Sequence, residues 1–317
     1  MNEVCGKLRS LLEDSVRRNL TDGILLSGGL DTSILACIAS KYGNPKTFTV
    51  GFKNAPAPDI EYARIIATCL NLEHHVYVFG ENQLYNVIRD VIRVIKSFDP
   101  MEIRNDTTIY IGLKYARDNG IATVMTGDGS DELFAGYSFF FELTKECLDS
   151  KLEKLWNTMR FSCINLAKDL GVEVRLPYLD PEFKEYTMKI DSGLKVRVEC
   201  GTTWGKWILR KAFEDILPKE VVWRVKTPIE MGSGTTVLPA LFSSTISDEE
   251  FEVKKQKYLI EDKVTIRDKE QLYYYEAYRS IFGVPGPENV KDKTCPYCNS
   301  TILAEVSFCR TCGAYLV

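Results

Sequence analysis

A chain of 317 residues is long enough for one large domain or two of ordinary size, each with its own core. With 45% hydrophobic and 26% charged residues it has the composition of a soluble globular protein, and 40 basic against 44 acidic side chains (net charge −4) exclude a global basic field for nucleic acid. No apolar run reaches the roughly 20 residues of a membrane span and the first thirty residues carry no signal-peptide pattern, which together predict a cytoplasmic protein.

Residues 3–19 place Val4, Leu8, Leu11, Leu12 and Val16 at helical spacing, after which Thr21-Asp22-Gly23 turns the chain into an apolar run, residues 24–26. That run stops at Ser27-Gly28-Gly29 and gives way to Asp31-Thr32-Ser33 and a second helical pattern through Lys41. The order predicts strand, tight turn and helix. Glycines allow backbone N–H groups to approach an anion, and a helix N-terminus aims its positive end at the same point. Hydroxyls at Ser27, Thr32 and Ser33 add donors, and Asp31 offers oxygens to a magnesium ion. The same residues also serve as ordinary turn chemistry. The string lacks the Gly-Lys-Ser/Thr ending of a kinase-type loop, so a bound phosphate need not be a transferred γ-phosphate.

Residues 46–52 are β-rich and run into a proline-containing loop; a helix is expected over 60–70, a strand over 75–79, and then a helix with Leu84, Val87, Ile88, Val91, Ile92 and Ile95 on one face. Another helix is expected over 105–119, followed by an apolar strand, 121–125, that stops at Thr126-Gly127-Asp128-Gly129-Ser130-Asp131-Glu132. Strands alternating with helices predict an α/β fold with a parallel sheet covered on both faces. In such sheets ligands sit beyond the carboxyl ends of the strands, where both glycine turns fall. From 134 to 281 the pattern is mainly helical, with helices expected over 137–148, 152–170, 181–188, 203–216, 250–260 and 269–282. Residues 283–287 break any helix and the charged stretch to Lys293 reads as a linker.

Asp128, Asp131 and Glu132 crowd the second turn. They are either a solvated helix cap or a functional set, one carboxylate joining Asp31 at magnesium and another handling a proton or a cationic substrate group. Of the ten cysteines, Cys5, Cys37, Cys69, Cys147, Cys163 and Cys200 are scattered and read as mostly buried apolar side chains. Cys295-Pro-Tyr-Cys298 and Cys309-Arg-Thr-Cys312 form two knuckles, an arrangement that supplies four thiolates to one structural zinc and leaves no open position for catalysis. Residues 294–317, with one arginine and one glutamate, are a poor clamp for RNA and are expected to dock on the body or on a partner protein.

The string Ser-Gly-Gly-Leu-Asp-Thr-Ser (27–33) resembles the signature of the ATP pyrophosphatases (PP-loop enzymes). More broadly, residues 2–235 resemble the synthetase domain of glutamine-hydrolysing asparagine synthases and their β-lactam-forming relatives. The strings are Leu-Ser-Gly-Gly-Leu-Asp-Thr-Ser (26–33), Phe-Thr-Val-Gly-Phe (48–52), Glu-His-His-Val-Tyr-Val-Phe (73–79), Thr-Gly-Asp-Gly-Ser-Asp-Glu-Leu-Phe-Ala-Gly-Tyr (126–137), Glu-Val-Arg-Leu-Pro-Tyr-Leu-Asp (173–180) and Lys-Trp-Ile-Leu-Arg-Lys-Ala-Phe (206–213). The resemblance implies a five-stranded parallel sheet of the adenine nucleotide α-hydrolase type, followed by a mainly helical half. With the tail this divides the chain into a synthetase domain (1–284), a linker (285–293) and a zinc ribbon (294–317).

The resemblance further implies that Ser27, Gly28, Gly29, Asp31, Thr32 and Ser33 hold the pyrophosphate of ATP. Leu25, Val50, Thr126 and Gly127 would line the adenine and ribose pocket, and Asp31 and Asp131 would bind magnesium. Asp128 would handle the proton of an attacking amine, and Lys206 would offset charge as pyrophosphate departs or nitrogen attacks. Lys226 and Gly232-Ser233-Gly234 resemble a family segment near the site. Arg175 and Asp180 are expected to form a structural ion pair at the domain seam, and His74 and His75 to pack rather than to ligate.

The activity implied is adenylation of a carboxylate such as aspartate, with release of pyrophosphate, then amide formation. The chain reaches its phosphate loop by residue 27, so no glutaminase of its own is expected; the nitrogen would come from free ammonia, a separate glutaminase subunit or another nucleophile. The rival is a tRNA-modifying ATP pyrophosphatase, which would need a reactive cysteine such as Cys163 or Cys200.

Overall fold

The computed structural model describes residues 1–287, 289, 293–302 and 308–316. The first half alternates as expected: α1 (Asn2–Arg18), β1 (Gly23–Leu25), α2 (Leu30–Ala39), β2 (Lys46–Phe52), α3 (Asp59–Cys69), β3 (His74–Phe79), α4 (Glu81–Ile95), α5 (Pro100–Asp118) and β4 (Thr123–Met125). The helical half follows: α6 (Ser130–Leu133), α7 (Lys145–Thr158), α8 (Ser162–Leu170), β5 (Glu173–Arg175) and α9 (Pro181–Met188). After a hairpin of β6 (Arg197–Glu199) and β7 (Thr202–Trp204) come α10 (Trp207–Phe213), α11 (Lys219–Val222), α12 (Ile229–Ser233), α13 (Leu238–Thr245), α14 (Asp248–Glu261) and α15 (Lys269–Phe282).

The five main strands form one parallel sheet in the order β3-β2-β1-β4-β5. The chain reverses its direction of growth between β1 and β4, and it is at such a switch that a crevice opens beyond the strand ends. In register, Ile24 of β1 stands beside Thr47 of β2 and Met125 of β4. The central strands β1 and β4 are largely apolar because helices cover both faces of the sheet, whereas the edge strands β3 and β5 carry polar residues such as His74, His75, Glu173 and Arg175. One face packs against α1, α2 and α3 through Leu8, Leu12, Val16, Ile34, Ile38 and Ile66. The other packs against α4, α5 and α8 through Ile88, Ile92, Ile103, Leu113 and Leu166, and α15 adds Leu272 and Tyr275.

Five expectations need correction. Residues 137–148 hold only a 3₁₀ turn, Ser138–Phe140, before α7, and the predicted helix over 152–170 is broken between α7 and α8. At that break Arg310 donates to the freed Thr158 carbonyl at 3.0 Å. The helix expected from 203 begins only at Trp207. Thr202, Thr203 and Trp204 are β-formers paired with Arg197–Glu199 across Cys200 and Gly201, whose φ values of 51° and 78° suit a tight hairpin turn.

Arg175 and Asp180 do not pair. Arg175 reaches Glu173, its same-face neighbour along β5, at 2.8 Å, and Asp180 takes Arg18 of α1 at 2.7 Å. Among the scattered cysteines only Cys37 and Cys163 are buried, while Cys69, Cys147 and Cys200 are exposed because they sit on the outer ends of α3, α7 and the hairpin turn.

The cysteine knuckles dock on the body. The Phe98 N–H donates to Thr311 O at 2.7 Å, the Thr265 N–H to Tyr297 O at 2.8 Å and the Gln271 amide to Cys312 O at 2.9 Å. Gly313 lies so close to Asp99 that a β-carbon there would stand 2.3 Å from the carboxylate. Of the predicted linker, residues 288 and 290–292 lie outside the described residues, as do 303–307 and 317 of the predicted ribbon. Among the described residues no helix is long and apolar enough to cross a membrane.

Candidate active site

The turn after β1 is shaped by Gly28. Its φ is +65°, and a β-carbon there would lie 2.3 Å from the backbone of Tyr62 and Ala63, so the loop can press against α3 only with glycine. Ser27 Oγ accepts from the Gly29 N–H at 3.2 Å and stands 3.1 Å from Thr32 Oγ1. The loop is thereby closed on itself at the N-terminus of α2. After β4, Gly129 adopts φ +93°, where a β-carbon would strike Leu179 at 2.5 Å. Ser130 Oγ donates to Asp31 Oδ1 at 2.7 Å, and the Tyr178 hydroxyl to the Asp31 carbonyl at 3.0 Å. These bonds tie the two glycine turns together across adjacent strand ends.

Two lysines complete the cluster. Lys206 Nζ lies 2.5 Å from Asp31 Oδ2 and 2.7 Å from Asp131 Oδ1, with 3% of its side chain exposed. Lys226 Nζ meets the other oxygen of Asp131 at 2.7 Å, with 34% exposed. Burial alone would raise the Asp131 carboxyl, but the two ammonium groups overcome it and hold that carboxyl well below the usual carboxylate range. Gly136 makes room for the arrangement, since a β-carbon would overlap Asp131 Oδ1 at 1.9 Å.

The cluster forms one wall of a cleft of about 900 Å³ including its open mouth. Leu25, Ser27, Asp31, Thr32, Val50, Thr126, Gly127, Asp128 and Asp131 all line it, joined by Thr108 and Gly112 of α5 and by Lys226 and Ile229. Gly29 and Lys206 line an adjoining depression. Ser33 is fully buried and its hydroxyl has no partner among the described residues, which sets it apart from the other predicted phosphate donors. Asp128 accepts from Thr126 Oγ1 at 2.5 Å; burial pushes its carboxyl up, against the bonds from Thr126 and the Cys163 thiol. Cys163 is itself fully buried, and burial together with the Asp128 charge pushes its thiol far above the usual range. Cys200 is exposed at the hairpin turn.

Sequence reasoning missed Arg224 and Asp59. Arg224 donates to the Ser27 carbonyl at 3.2 Å and to Asp59 at 2.7 Å while lying over the Tyr62 ring at 4.0 Å, so it straps the phosphate loop to α3. The string Trp-Arg-Val-Lys (223–226) carried a signal for it; nothing near Asp59 did. Lys226, expected near the site from the resemblance of its segment, is the lysine that lines the cleft itself.

The model of the asparagine synthase family matches residues 7–170 and 160–283. The chain belongs to the asparagine synthase family. Glutamine-hydrolyzing asparagine synthetase B of Escherichia coli K12 is 32% identical over 307 residues, covering 88% of this chain and 54% of that protein. A probable glutamine-hydrolyzing asparagine synthetase of Dictyostelium discoideum is 33% identical over 314 residues, covering 86% and 54%. The chain thus spans about half the length of these curated relatives. Among solved structures, NMN synthetase from Francisella tularensis aligns with 88% of this chain and 92% of its own at a TM-score of 0.40 and 15% identity, a likeness too distant to bear on activity.

Beyond the matched residues lies the cysteine cluster. Cys295 and Cys312 sulfurs stand 3.8 Å apart and those of Cys298 and Cys309 3.7 Å, all four buried and within 4.8 Å of one another. Thiolates about 2.3 Å from a tetrahedral zinc stand about 3.8 Å from each other, so the set fits zinc.

Proposed function

We propose that this chain is an ATP-dependent, AMP-forming ligase that adenylates a carboxylate, aspartate or a close relative, and then makes an amide with ammonia or another nitrogen nucleophile. The observation that carries this reading is the convergence of Asp31 and Asp131, from turns at two adjacent strand ends, on the shared ammonium of Lys206 beside a cleft. In the proposal Ser27, Gly28, Gly29, Thr32 and Ser33 form the pyrophosphate loop, and Leu25, Val50, Thr126 and Gly127 flank the adenosine. Magnesium held by Asp31 and Asp131 would neutralise phosphate charge there.

The substrate carboxylate attacks the α-phosphate and pyrophosphate leaves. Lys226, in the cleft wall, is placed to meet the developing negative charge, as a fixed cation in a site shielded from water does most effectively. Lys206, almost without exposure, keeps the two metal carboxylates apart and oriented. The nitrogen nucleophile then displaces AMP, and Asp128 takes its surplus proton. The division into a synthetase domain (1–284), linker (285–293) and zinc ribbon (294–317) is part of the same proposal, with a separate glutaminase as one source of nitrogen. A sulfur-transfer role through Cys163 is disfavoured by its burial, which suppresses the thiolate that such chemistry needs.

Incubation of the purified chain with ATP, magnesium, aspartate and ammonium is expected to yield AMP, pyrophosphate and asparagine in equal amounts. Pyrophosphate release that requires tRNA and ignores every carboxylate offered would overturn the ligase reading.

A further inference from the structure

One carboxylate holds both ends of the segment that carries Lys226. Asp59, the first residue of α3, accepts from Arg224 at 2.7 Å through Oδ1, with 14% and 8% of the two side chains exposed. Its other oxygen, Oδ2, lies against Gly232 of α12, where a β-carbon would stand 2.2 Å away. Two more pins follow along the chain. Ser233 Oγ stands 3.1 Å from Thr108 Oγ1 of α5, and Gly234, at φ +86°, presses on the Pro56 carbonyl, which a β-carbon would meet at 2.8 Å.

Between the pins, residues 225–231 have little burial to hold them. Val225 and Met231 are exposed to 70% and 54%, and Ile229 is exposed as well. Apolar surface that stays in water does not fix a segment in place. Lys226 adds a flexible four-carbon stem, so its ammonium meets Asp131 Oδ2 at 2.7 Å in the cleft wall only while the backbone beneath it is held.

We propose that Asp59 is a positioning residue for Lys226: by fixing Arg224 on one side and Gly232 on the other, it sets the path of the segment between them and keeps the lysine ammonium at Asp131 beside the departing pyrophosphate. The inference rests on the reading of Lys226 as the cation that meets charge developing there. Asp59 acts through Lys226 rather than on a reacting atom. Arg224 also donates to the Ser27 carbonyl at 3.2 Å, so the same carboxylate has a second route to the site, through the phosphate loop. The two routes move different quantities: the first acts on turnover, the second on the grip on ATP.

A double-mutant cycle separates them. Asp59→Asn keeps the shape of the side chain and an acceptor for Arg224 but removes the charge. It is expected to lower the turnover of carboxylate-dependent exchange of pyrophosphate into ATP by roughly tenfold with the KM for ATP nearly unchanged, and Asp59→Ala by roughly a hundredfold, within the loss caused by Lys226→Met. In the Lys226→Met background each should cost less than about twofold, because the group through which Asp59 acts is already gone. A loss of the same size in both backgrounds, or one carried by KM alone, overturns the proposal.

The second readout needs no turnover. Competitive acetylation with acetic anhydride, read residue by residue by mass spectrometry, reports how freely each lysine amine is presented. Lys226 is expected to label about tenfold faster in Asp59→Ala and in Gly232→Ala, which displaces the carboxylate from the other side, because release from Asp131 leaves more of its amine uncharged. The exposed Lys189 should label as before. Lys226 labelling that does not move overturns the proposal whether or not exchange is detected, whereas wild-type protein that exchanges with no carboxylate refutes the ligase reading alone. If Asp59→Ala does not fold, Asp59→Asn and Gly232→Ala carry both measurements.

Discussion

Lys206 and Lys226 grip Asp131 from opposite sides, and their surroundings give them different work. Removing Lys206 leaves Asp31 and Asp131 facing each other in a buried site, and breaking a buried pair in this way costs about 3–5 kcal/mol. Lys206→Met is therefore expected to lower the thermal midpoint sharply. Lys226→Met should leave the melt nearly unchanged and cut pyrophosphate release by roughly 10²–10³-fold, the scale of losing one charge-stabilising donor. Lys195 offers a contrasting case. It is fully buried over the Trp156 ring at 4.5 Å, its amine has no hydrogen-bond partner among the described residues, and burial pushes it down to about 7. The unfolded chain holds that proton up to about pH 10.4, so the penalty on the fold is full below pH 7 and shrinks as the pH rises toward 10. Lys195→Met should stabilise the protein by roughly 1–3 kcal/mol at pH 6, and by less at pH 10, in denaturant titrations. Residues such as Asp31 and Asp131 were legible because glycine turns mark them. Asp106 of α5 and Lys195 were not, because nothing in a sequence distinguishes a buried charged residue on a helix from a solvated one.

Among elements, the short strands were the easiest to place. Apolar runs that end in glycine turns located β1 and β4 to within about two residues, and the helical spacing of α1 and α4 matched their buried faces. The hairpin of β6 and β7 was missed because Trp204 and Trp207, three positions apart, fit a helical spacing, and the turn at Cys200 and Gly201 gives no strong local signal. The phosphate turn yields a sharper test. At Gly28 a β-carbon meets backbone at 2.3 Å, whereas at Gly171, also at positive φ, nothing lies within 4 Å. Gly171→Ala should cost only the left-handed strain, about 1–2 kcal/mol. Gly28→Ala adds displacement of the loop from α3, and calorimetric ATP binding is expected to vanish while most of the fold survives.

At the scale of the molecule, the docked cysteine knuckles touch the parts that form the cleft. Thr311 and Gly313 hold the approach to α5, Arg310 holds the turn before α8, and α5 in turn supplies Thr108 and Gly112 to the cleft wall. In protein loaded with zinc at the four cysteine sulfurs, removal of the metal by a chelator is therefore expected to speed hydrogen exchange in residues 97–106 and 159–163 and to lower the thermal midpoint, while β1 to β3 remain protected. Exchange confined to the knuckles themselves would show that the ribbon is only an appendage. That docking also sets an order in time. The contact between Ser97 and Thr311 spans 214 positions, so a chain emerging from the ribosome can form its sheet and its phosphate turn long before the wall opposite them is clasped. A nascent chain stalled before residue 311 should therefore bind nucleotide more weakly than the full chain in a calorimetric titration.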